Sequence, residues 1–116
     1  MEVCTIWEGS LEHAKKSLKL HEKQLNRLEK KRERIAVDIR KTEMKLNDVI
    51  EDINDLKRVG KDTSRIEQAP AFYDANIRRW EQEISEIDEE FATVRDMLHQ
   101  DTDLIDFTRE KVNEFC

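Results

Sequence analysis

Glycine and proline are scarce: two glycines and one proline among 116 residues. Too few chain breakers remain for the many turns of a sheet or a compact bundle. No stretch alternates apolar and polar residues for long with period two, which argues against strands. Apolar runs approaching the roughly 20 residues of a bilayer span are absent, and so is a secretory leader. Cysteine is confined to Cys4 and Cys116. Two cysteines do not make a secreted disulfide scaffold, so the expected setting is reducing and intracellular, namely the cytoplasm. Aromatic residues are 6% and apolar residues 37%, while charged residues reach 41%. That apolar share suffices for a narrow seam but not for a wide core.

What the sequence does have is a seven-residue repeat. Position a falls on Cys4, Leu11, Leu18, Leu25, Arg32, Ile39, Leu46 and Ile53. Position d falls on Trp7, Ala14, His21, Leu28, Ile35, Thr42, Val49 and Leu56. An unbroken repeat of this length demands a partner helix along its side. A second series places Ile77, Ile84, Phe91, Leu98, Ile105 and Val112 at a. Tyr73, Trp80, Ile87, Val94, Asp101, Thr108 and Phe115 take d. Gly60 suits a helix C-terminus and Pro70 the first turn of a helix. The expectation is all-α: one elongated domain over 1–116, a long antiparallel coiled-coil hairpin. Its helices run over about 4–59 and 71–115, with a connecting tip at about 60–70.

Some local features qualify this. Residues 1–3 are expected to fray, and Gly9-Ser10 is a point where the first helix could restart. Leu20, Ala36, Val37, Met44 and Ile50 lie off the seam. They widen the apolar stripe and suggest a further helix, as in a dimeric four-helix arrangement. Residues 1–60 carry 14 basic and 12 acidic side chains, residues 61–116 carry 7 and 15. Opposite bias suits helices that pair with each other.

The repeat permits several alignments. The preferred one pairs the two charged seam residues, Arg32 and Asp101, as a polar core pair, since a shift by one heptad would leave both charges unpaired, and sets Leu56 against Ile77 and Leu18 against Phe115. It leaves Cys4, Trp7, Leu11 and Ala14 as an unpaired stripe, a surface for self-association or a protein partner. It also holds Cys4 about 20 Å from Cys116, beyond disulfide reach. A Cys4–Cys116 disulfide would instead favour the alignment shifted by two heptads. That shift sets Arg78 and Arg79 against Arg40 and Lys41.

No catalytic constellation, metal site or cofactor motif emerges. Cys4 lies too far from His13 and His21 to complete a zinc site with them. The acidic run from Glu81 to Glu90 lacks the turn chemistry of a calcium loop. Phe72, Tyr73, Arg78 and Arg79 at the tip are of the types that anchor protein interfaces, although Phe72 and Tyr73 could fold back onto Leu56 and Val59. The basic block from Lys15 to Arg34 could lie along phosphates, but aromatics for base stacking are missing and an acidic helix lies alongside. Nucleic acid is therefore disfavoured. The expected function is a non-enzymatic scaffolding or oligomerisation module for protein–protein interaction. Alternatives are a basic arm for nucleic acid and a stalk whose helices slide to carry a signal.

Overall fold

A computed structural model describes residues 2–116. Two helices account for nearly all of them: α1, Glu2–Arg58, and α2, Ala69–Phe115. They form an all-α helical hairpin with no strand among the described residues. The boundaries extend those expected from sequence by two residues at each helix start. Helix α1 does not restart at Ser10, and of the residues expected to fray, Glu2 and Val3 are helical while Met1 lies outside the described residues. The Leu, Glu, Ala and Lys residues that follow carry the helix through Gly9, where a Cβ would meet open space.

The helix end at Gly60 has a specific cause. Gly60 adopts φ +76°. Its N–H donates to the Lys57 carbonyl at 3.1 Å, and the Lys61 N–H donates to the Leu56 carbonyl at 2.9 Å. This is the Schellman pattern, which satisfies carbonyls that the helix leaves open. Only glycine takes that left-handed backbone without a Cβ penalty. Pro70 sits in the first turn of α2, where its missing N–H costs nothing.

Contacts divide the chain into two units. One combines residues 1–29 with 88–116, the other holds residues 30–87. In the first unit Ala14, Val94, Ile105 and Thr108 are buried along the seam, together with Asp101. In the second the buried residues are Ile35, Thr42, Ile53, Thr63, Ile77 and Ile87. Every a and d residue from Cys4 to Leu56 is buried or half-buried except Arg32. Each such side chain contributes on the order of 1–3 kcal/mol when removed from water, so this seam outweighs the ion pairs. Of those, Lys15–Glu12, Arg58–Asp55 and Arg78–Asp74 are local and exposed.

The helix alignment differs from the one preferred on sequence grounds. In the first unit Cys4 is bonded to Cys116, with Cα atoms 5.3 Å apart. Ser17 and His21 both reach Asp101. These pairs add to 120, 118 and 122, so facing residues sum to about 120. The alignment is the one shifted by two heptads. Arg32 and Asp101 are not a core pair. Arg32 is exposed, because its long side chain can leave the seam for water. Asp101 is too short to escape, is 7% exposed, and takes its partners from the facing helix. The like charges at Arg40, Lys41, Arg78 and Arg79 do not prevent this, since all four are exposed and screened.

Candidate functional site

Three places hold the residues singled out above: the disulfide end, the polar layer at Asp101, and the connection between the helices.

At the first, the stripe Cys4, Trp7, Leu11 and Ala14 is not unpaired. Helix α2 covers it within the same unit. Ala14 is fully buried, Cys4 is bonded to Cys116, and the Trp7 and Phe107 rings meet edge to face at 5.7 Å. Edge-on packing suits the opposite partial charges of ring rim and ring face. Lys111 lies over the Phe107 ring at 5.6 Å and over Phe115 at 6.0 Å. One turn along α1 from Cys4, Glu8 points its carboxylate at the bridge. Its Oε1 lies 3.4 Å from Cys4 Sγ and 3.7 Å from Cys116 Sγ. Sequence reasoning missed Glu8. The spacing of four from Cys4 was visible, but its meaning depends on the alignment that brings Cys116 beside it.

At the polar layer, Ser17 Oγ–H donates to Asp101 Oδ1 at 2.9 Å. His21 Nδ1 is hydrogen-bonded to Asp101 Oδ2, with the ring N–H as donor to the carboxylate. Serine, histidine and aspartate are all present, yet their order is wrong for nucleophile activation. A catalytic triad places the imidazole between the other two, where it takes the serine proton. Here the carboxylate occupies the middle and accepts a hydrogen bond from the Ser17 hydroxyl. The layer satisfies a buried carboxylate. Nearby, Thr108 Oγ1–H donates back to the Leu104 and Ile105 carbonyls, which lets a hydroxyl sit at 1% exposure.

At the connection, residues 59–68 form a compact turn rather than a loose loop. Asp62 accepts from the Ser64 backbone N–H at 3.0 Å and from its hydroxyl at 3.1 Å. These bonds, the backbone one foremost, hold the Asp62 carboxyl below its usual range. Glu67 accepts from Lys57 Nζ at 2.9 Å and from the Thr63 hydroxyl at 2.8 Å. The Lys57 bond, then the Thr63 bond, lower the Glu67 carboxyl in the same direction. Asp62 with Ser64 and Thr63 with Glu67 thus hold the turn. Of the tip aromatics, Tyr73 is half-buried, while Phe72 is 65% exposed and Val59 68%. Only Tyr73 folds inward. Arg78 pairs with Asp74 at 3.1 Å, and Arg79 is exposed.

A hollow of about 740 Å³ is lined by Lys30, Glu33, Arg34, Val37, Asp38 and Lys41, all from α1. A furrow along one helix does not exclude water from a reaction. No described helix is long and apolar enough to cross a membrane. No family model, curated protein or solved structure matches the chain.

Proposed function

We propose that this chain is a non-enzymatic structural module that offers its turn end to a protein partner. The observation that carries this is the exposure of Val59 on the turn, and of Phe72 in the first turn of α2 beside it, where Asp62, Thr63 and Glu67 hold the connection. A large ring displayed on a helix beside a preorganised turn loses little entropy when a partner covers it. The furrow-like surface and the carboxylate-centred polar layer support a structural role over catalysis. Self-association remains part of the reading, because Met44 and Ile50 of the second unit are 67% and 42% exposed. In a reducing cytoplasm, the setting expected from composition, the Cys4–Cys116 bond would open.

The test places a photo-crosslinking residue at position 72 of the intact chain, in cells that make it. One dominant cross-linked protein is expected, and Val59→Ser should cut its yield about tenfold, the effect of losing a hot-spot contact. The same label at exposed Asn47 should not yield that product. Equal products from both positions would remove docking at the turn. Cross-links only between copies of the chain would leave self-association alone.

A further inference from the structure

We propose that the reduced chain binds one thiophilic divalent cation, of the zinc class, through Cys4, Glu8 and Cys116. The fold brings these three together from the two ends of the chain, and their ligand atoms all lie within 4.8 Å of one another. Tetrahedral zinc, with Zn–S about 2.3 Å and Zn–O about 2.0 Å, puts a sulfur and an oxygen ligand about 3.5 Å apart. The Glu8 oxygen already lies 3.4 and 3.7 Å from the two sulfurs. Glu8 therefore stands where a third ligand belongs.

The sulfurs must separate to about 3.8 Å to share a tetrahedral metal. Cα atoms 5.3 Å apart leave room for both side chains to turn outward. Cys116 follows the last helical residue, Phe115, and is exposed, so helix packing does not fix its rotamer. Cys4 and Glu8 sit one turn apart on α1 and face the same side. The fourth position opens to water. Two sulfur ligands select zinc, cadmium or cobalt over calcium or magnesium, which prefer all-oxygen shells. Residues 88–116 add a favourable field, with nine acidic side chains against three basic.

Formation balances simply. A dithiol reductant passes two electrons and two protons to the Cys4–Cys116 bond, giving two thiols and its own disulfide. The cation then displaces both protons and is held by two thiolates and the Glu8 carboxylate. One pair of cysteines thus closes the same end of the hairpin in either setting, covalently when oxidised and through a metal when reduced.

The experiment titrates cadmium, then cobalt, into the full chain reduced with a dithiol and freed of it without oxygen. One metal per chain is expected, with thiolate-to-metal ultraviolet absorption and two protons released. The oxidised chain should show no such absorption. Cys4→Ser should abolish it. Glu8→Gln, at an exposed site that leaves the seam intact, should keep the absorption and weaken binding about tenfold or more. The proposal is overturned if the reduced chain gives no thiolate absorption, if one metal joins two chains, or if E8Q binds as tightly as the native chain.

Discussion

Opening the Cys4–Cys116 bridge is the perturbation whose size follows most directly from the structure. The bridge joins residues 112 apart in sequence. In the chain-entropy model, releasing a loop of that length lowers stability by about 4.8 kcal/mol. With an unfolding entropy of roughly 2.1 cal/mol/K per residue, such a loss corresponds to a fall in Tm of about 20 °C. The figure is an upper bound, because the reduced end can fray locally while the second unit stays folded. Melting should be followed by circular dichroism on the oxidised chain, the metal-free reduced chain and Cys4→Ser. Both open forms should melt well below the closed one and agree with each other. A fall of less than about 3 °C would mean that the bridge constrains little of the unfolded ensemble, against the entropic account. The alignment itself has a sharper test. C4S combined with L18C moves the cysteine to the position that the unshifted alignment sets beside the end of α2. That chain should not form an internal bridge. A monomeric cross-link between positions 18 and 116 would refute the alignment described here.

The polar layer should show coupling where the structure places it. Asp101→Asn should cost about 2 kcal/mol in urea unfolding, the value of hydrogen bonds to a charged group. A double-mutant cycle should give about 1–2 kcal/mol between D101N and His21→Gln and close to zero between D101N and Arg32→Met. The two glycines should respond with opposite signs. Gly9→Ala should raise stability by up to about 1 kcal/mol, since the helix passes through open space there. Gly60→Ala should lower it by about 1–2 kcal/mol, because φ +76° is strained for any side chain. A shared sign would undo the assignment of Gly60 as the residue that ends α1.

The periodicity of the sequence was enough for the two helices, the seam and the turn, and not enough for the alignment. The reason is physical. A heptad repeat looks the same after every shift of seven, so Leu, Ile and Val layers score nearly alike in each alignment. Only the polar seam residues break that symmetry, and they are not equivalent. Arg32 carries a flexible stem that lets its charge leave the seam, so it does not need Asp101. Asp101 has one methylene and stays where the backbone puts it, so its partners must come to it. Weighing polar seam residues by how far their charges can travel would have ranked His21, a d residue of similar reach, above Arg32 as the partner. The candidate metal site was hidden for the same reason. Cys4 and Glu8 share a face in any alignment, but Cys116 joins them only in the one that Asp101 selects. A single buried carboxylate in the polar layer thus decides which residues meet at the end of the hairpin. If D101N destabilises that layer, the reduced, metal-free chain should also close its Cys4–Cys116 bond more slowly under oxidant. An unchanged rate would show that the bridge, and not the polar layer, selects the alignment.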